Sequence, residues 1–201
     1  MRNTAILIFD DAEVLDFCGP FEVFSVTNEL NNHGLFNVYT VARGKRTIRA
    51  KNGLKVQPDY GFRGCPAPDI LLIPGGSGTR EVMHDSRLLS WIKSKAAGAQ
   101  LLLTVCTGSL VLAVTGLLDG LKATTHHEVM PLLRSSAPNT EVVPGERFID
   151  NGSVIVSAGI SAGIDMCLYV VARLHGKAVA GRTARYMEYA WNNPKRVSSK
   201  D

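Results

Sequence analysis

Three short, almost wholly apolar runs set the strongest limit on how this chain folds: Ala5–Phe9, Asp69–Ile73 and Leu101–Val105. Each has the length of a strand rather than a helix, and none alternates with polar residues. Such strands are covered on both faces, as in a mostly parallel sheet with helices packed on either side. Phe36–Ala42 reads as a further strand. Two pairs of short runs, Ile48–Ala50 with Leu54–Gln57 and Glu146–Ile149 with Ser153–Val156, flank Asn52-Gly53 and Asp150-Asn151-Gly152 and read as hairpins. A short strand is also expected to end in Ala123–His127.

Helical spacing fills the gaps. Leu88, Leu89, Ile92 and Ala96 share one face after a start near Ser86, and Leu110, Ala113, Val114 and Leu117 share another, ending at Gly116 or Gly120. Ile164–Val171 is apolar nearly all round, which predicts a helix buried between the sheet and a second body, such as a partner subunit. Lys177–Tyr189 is the last expected helix, and 195–201 is expected to fray. With 201 residues, 45% hydrophobic and 20% charged, the chain can bury one large core and is not disordered. No apolar run approaches the roughly 20 residues of a bilayer span. No secretory signal precedes the first strand, so a cytoplasmic location is expected. The net charge of +4 is spread out except at Arg43, Lys45, Arg46, Arg49 and Lys51, which read as a solvated hairpin edge, so no nucleic-acid partner is expected.

Cys18, Cys65, Cys106 and Cys167 show no CxxC or Cys/His metal spacing, so reduced thiols and no metal site are expected. Cys106 stands apart. A buried strand ends on it, and Thr107-Gly108-Ser109 opens a helix at once. A strand-turn-helix junction of this kind projects one side chain above the carboxyl end of the sheet, as a nucleophile elbow does. The helix N-terminus is expected to lower the thiol pKa. Ile73-Pro74-Gly75-Gly76 ends the neighbouring strand, and its glycines are candidates to supply backbone N–H groups as an anion hole. The loop has neither GxGxxG nor a Lys-Ser/Thr pair, so no nucleotide cofactor is expected. Asp16, Glu22, His126 and His127 are the candidate acids and bases. Asp16 lies between Leu15 and Phe17, an apolar setting that raises a carboxyl pKa. The residues alone leave open whether Asp16 is instead a cap or turn residue, and whether either histidine is structural.

Taken together, Leu15-Asp16-Phe17-Cys18-Gly19-Pro20, Ile73-Pro74-Gly75-Gly76, Val105-Cys106-Thr107-Gly108-Ser109, Ala123-Thr124-Thr125-His126 and Gly159-Ile160-Ser161-Ala162-Gly163-Ile164-Asp165 resemble the DJ-1/PfpI superfamily in content and order. The resemblance covers nearly the whole chain. It implies a single flavodoxin-like three-layer sandwich over residues 1–201, commonly a homodimer, with a cysteine at the elbow. Asp16 and Thr107 resemble the isocyanide hydratase subgroup; PfpI-type proteases have histidine after the cysteine, and DJ-1-type members use glutamate in the first loop. The implied chemistry is cofactor-independent hydration of a small isocyanide. Cys106 would be the nucleophile and Asp16 the general acid and base, with Thr107 orienting Asp16 or the thiol by its hydroxyl and backbone N–H. Gly75, Gly76 and Ile160 would line the pocket, with His126 a further candidate. Similar domains also form the ligand-sensing half of AraC-type regulators. A chain ending at Asp201 leaves no room for their helix-turn-helix region, so an enzyme is expected, with a sensing domain or a DJ-1-like stress role as alternatives.

Overall fold

The computed structural model describes residues 1–191, so the tail expected over 195–201 lies outside the described residues. Its centre is a seven-stranded sheet. In chain order the strands of the protein are β1 (Arg2–Leu7), β2 (Phe36–Ala42), β3 (Ile48–Arg49), β4 (Lys55–Val56), β5 (Tyr60–Gly61), β6 (Ile70–Ile73), β7 (Leu101–Thr104), β8 (Lys122–Ala123), β9 (Glu141–Val142), β10 (Phe148–Asp150) and β11 (Val154–Ser157). The helices are α1 (Val14–Glu29), α2 (Thr79–Val82), α3 (Ser86–Ala96), α4 (Gly108–Ala113), α5 (Met130–Ser136), α6 (Ala162–His175) and α7 (Lys177–Tyr186).

The large sheet runs β10-β11-β7-β6-β1-β2-β5. Its neighbouring pairs are parallel, apart from β10 against β11. The three apolar runs become its middle: Ala5–Leu7, Ile70–Ile73 and Leu103 have no exposed surface. Each such Ile or Leu contributes about 2 kcal/mol by leaving water. Chain order reverses between β1 and β6, because the chain leaves β1 toward β2 and returns to β6 on the other side. The carboxyl ends of β1, β6 and β7 therefore open onto one crevice, the place where open α/β sheets hold ligands. Helices cover both faces, giving the expected three-layer sandwich. The hairpins form as β3–β4 and β10–β11, with Asn52 and Gly53 both at positive φ in the first turn.

Some elements depart from the sequence reading. β1 starts at Arg2 because Arg2–Thr4 pair with Phe36–Val38. α4 stops at Ala113, where Thr115 Oγ1 bonds the Leu112 carbonyl and Gly116 turns to φ 75°. α7 ends at Tyr186, as Glu188 takes φ 49° and Tyr189 turns its hydroxyl onto Asp165. α1 has no counterpart among the expected helices. Gly19 and Pro20 hide it: Pro20 has no N–H for the Asp16 carbonyl, and a Cβ on Gly19 would stand 3.0 Å from Ile164 Cγ1. α6 packs against α1, α7, β10 and β11, which accounts for its all-round apolar surface within one chain. Its composition therefore needs no partner subunit.

One tight junction in this frame is Gly108, where a Cβ would run into the Ile73 carbonyl oxygen. Alanine ordinarily favours a helix over glycine by about 1 kcal/mol. Gly108→Ala should instead cost about 2 kcal/mol through overpacking and lower the thermal midpoint by roughly 6 °C. A calorimetric scan checks this, and an unchanged or raised midpoint would contradict it.

Candidate active site

Cys106 sits between β7 and α4 with φ 56°, in the left-handed region that non-glycine residues rarely occupy. Its backbone is fixed on both sides: its N–H donates to the Ala158 carbonyl at 3.1 Å, and its carbonyl accepts from Thr125 Oγ1 at 2.9 Å and Ser109 Oγ at 3.2 Å. This is the expected elbow. It aims a side chain with only 5% exposure into a pocket of about 190 Å³.

Asp16 comes to the same point from α1. It lies in the first helical turn, inside the helix and after the N-cap residue Glu13, which resolves the choice between cap, turn and interior. It has no exposed surface. Its Oδ2 accepts the Gly75 N–H at 2.9 Å, while no nitrogen or oxygen donor reaches Oδ1. Burial pushes the carboxyl up to about 7, against the lowering effect of the Gly75 N–H; the thiol of Cys106 also donates toward it. The expected direction for Asp16 therefore holds.

For Cys106 it does not. Burial, and then the neighbouring Asp16 charge, push the thiol up to about 12. The N–H groups of Thr107 and Ile160 favour the thiolate but do not overcome those two effects. α4 is only six residues long, and the helix-terminus argument loses to desolvation and like charge. The thiol and the carboxyl thus act as a coupled pair that keeps a single proton once the pH passes about 7.

The glycine loop also has a different role from the one expected. The Gly75 N–H is taken by Asp16, and the Gly76 N–H donates to Thr107 Oγ1 at 2.9 Å, so neither is free as an anion hole. The donors facing sulfur are the N–H groups of Thr107 and Ile160. The Thr107 hydroxyl orients the Gly76 loop, not Asp16. Ile160 holds φ 49°, a strained state for a β-branched residue, and thereby turns its N–H toward Cys106.

His126 lines the pocket; its ring lies 4.4 Å from that of His127, and its Nδ1 accepts the Glu128 N–H at 3.4 Å. His127 and Glu22 are exposed and absent from the pocket lining. Glu13, Lys51, Ser77, Arg80, Glu128 and Val129 complete the wall, and the sequence reading did not select them. Only Lys51 had drawn notice, as part of the basic edge; it bonds Glu13 at 2.8 Å, which holds its ammonium charged. The other three cysteines are unpaired thiols raised by burial. Among the described residues no cluster of His, Cys, Asp or Glu is arranged to hold a metal ion, and no helix is long and apolar enough to cross a membrane.

Comparison with known proteins gives this geometry its context. Residues 2–173 match the model of the DJ-1/PfpI family. Isonitrile hydratase of Pseudomonas putida is 33% identical over 187 residues, which cover 92% of this chain and 77% of that protein. The HTH-type transcriptional regulator GbdR of Pseudomonas aeruginosa is 26% identical over 188 residues, 94% of this chain but only 51% of the regulator. Among solved structures, a THiJ/PfpI family protein from Pseudomonas syringae superposes with a TM-score of 0.85 at 28% identity, covering 96% of this chain and 77% of that one. The chain belongs to the DJ-1/PfpI family.

Proposed function

We propose that this protein hydrates isocyanides to N-substituted formamides through a covalent intermediate on Cys106. The observation that carries the reading is the buried Asp16 carboxyl, raised to about 7 beside a thiol that cannot ionise unaided. A group titrating near neutrality can both take and return a proton during one turnover.

The steps follow from that pair. Asp16 takes the Cys106 proton as sulfur bonds to the terminal carbon of R–N≡C, and the Thr107 and Ile160 N–H groups steady the charge on sulfur. The same proton passes from Asp16 to that carbon, giving the thioimidate R–N=CH–S–Cys106. Water then adds to the carbon, giving one proton to Asp16, which passes it to the nitrogen and leaves R–NH–CH(OH)–S–Cys106. The C–S bond breaks as the remaining hydroxyl proton moves by way of Asp16 to sulfur, releasing R–NH–CHO and re-forming the thiol. The similarity to isonitrile hydratase of Pseudomonas putida supports the substrate class, and homodimer assembly is part of the same reading. The matched regulators support a second one, in which such a domain binds a small molecule without turning it over.

Incubation with an aryl isocyanide, followed by chromatographic detection of the formamide, separates the two. Wild-type protein should turn the isocyanide over, Cys106→Ala should not, and Asp16→Asn should lose at least 100-fold. Binding without formamide would favour the regulator-like reading.

The pH dependence carries its own sign. The productive form has Asp16 ionised and the thiol protonated, so kcat/KM should rise with pH through an apparent value near 7 as Asp16 loses its proton. The rise should be absent from the residual activity of Asp16→Asn. An acid limb lying below pH 5 in the wild type would contradict the assignment of Asp16. Light scattering checks the assembly, with twice the chain mass expected.

A further inference from the structure

We infer that the pocket over Cys106 takes substrates carrying a carboxylate, and that Arg80 is the residue that selects them. The isocyanide half of this assignment rests on the proposed reaction; the anionic half rests on the pocket itself.

The charged groups around the pocket do not balance evenly. Glu13 and Lys51 neutralise each other at 2.8 Å. Glu128 turns outward with 74% of its side chain exposed, and its nearest ionic neighbour is His126 Nδ1 at 3.8 Å. Asp16 accepts hydrogen bonds from the Gly75 N–H and the Cys106 thiol and is not part of the pocket wall. Arg80 lines the same cavity and has no acidic partner within ion-pair distance among the described residues.

Arg80 is an exposed residue at the cavity, and one hydrogen bond ties its guanidinium to the buried residues beneath. Arg80 Nη1 donates to Thr79 Oγ1 at 3.3 Å, and Thr79 is fully buried. Thr79 Oγ1 donates to the Gly76 carbonyl at 2.7 Å and lies 3.3 Å from Thr107 Oγ1, on the residue next to the nucleophile. The cation is therefore tethered to the threonine network that builds the elbow. Val129 and Ile160 supply apolar wall beside it. A planar guanidinium with free donors matches a carboxylate in two-pronged geometry. The substrate class that fits is a small isocyanide with a short apolar body and a terminal carboxylate.

Two haloacetyl probes of nearly equal shape test the charge preference. Cys106 alkylation by iodoacetate and by iodoacetamide is compared with the same pair on glutathione. Relative to glutathione, wild-type protein should favour iodoacetate by about tenfold, the scale of one partly screened charge pair. Arg80→Gln should return the ratio to that of the free thiol, and Arg80→Lys should keep part of the preference. A wild-type ratio equal to that of glutathione, or one that Arg80→Gln leaves unchanged, overturns the inference. Should burial shield Cys106 from both reagents, calorimetric titration with benzoate and benzamide decides. Benzoate alone should bind, and Arg80→Gln should abolish that binding; equal binding, no benzoate binding, or binding that survives Arg80→Gln overturns the inference. Neither measurement uses an isocyanide. An Arg80-dependent preference without isocyanide turnover therefore overturns the reaction alone, while turnover without that preference overturns the substrate class alone.

Discussion

Everything at the site hangs on the approach of three elements to Gly75. A Cβ there would stand 2.5 Å from the Thr107 nitrogen, 2.6 Å from its Oγ1 and 2.9 Å from Asp16 Oδ2. The loop after β6, the elbow after β7 and the first turn of α1 thus meet with no space for a side chain. The bare N–H at that point holds Asp16, and the next N–H is bonded to Thr107. Glycine is required by closeness here, since any side chain would push the carboxylate and the elbow apart. The parallel register of β1, β6 and β7 brings the three ends level, so the packing of the buried strands sets the distance between acid and thiol.

That arrangement has a thermodynamic consequence. The folded protein holds the Asp16 proton more tightly than an unfolded chain does, with a carboxyl raised to about 7 from an ordinary value near 4. Its contribution to stability is therefore fully present below the unfolded carboxyl value and is lost as pH rises through about 7. At neutral and alkaline pH the fold carries a buried charge with one backbone hydrogen bond, a thiol and an unpartnered oxygen. The apolar middle of the sheet offsets that cost. At the crevice, Cys106 and Ile160 carry strained backbone and Asp16 an unpartnered oxygen, above a sheet whose middle is apolar and buried.

What the sequence made legible followed from local physics. The buried strands showed in their unbroken apolar runs, β2 matched its expected bounds, and the elbow showed where a strand met small residues. Asp16 was readable because its apolar neighbours imply desolvation. Other features depended on distant partners. α1 is covered by the sheet on one side and by α6 and α7 on the other, so it carries no one-sided stripe, and Gly19-Pro20 looks like a stop signal. The direction of the Cys106 shift comes first from burial in the assembled crevice and then from the charge of Asp16, ninety residues earlier in the chain, and its own segment shows neither. Glu13, Lys51 and Arg80 are ordinary surface residues by sequence and become pocket residues only through the crevice.

The coupling of Cys106 to Asp16 also bears on why one domain type serves both hydratases and regulators. A buried thiol pushed up to about 12 is a poor nucleophile at neutral pH, however well the elbow presents it. Without a proton acceptor the same pocket would admit a small molecule, hold it against the Thr107 and Ile160 N–H groups and release it unchanged. In the proposed reaction Asp16 supplies that acceptor, at the expense of keeping a carboxylate out of water. One buried carboxyl group thereby separates turnover of a ligand in this pocket from binding alone.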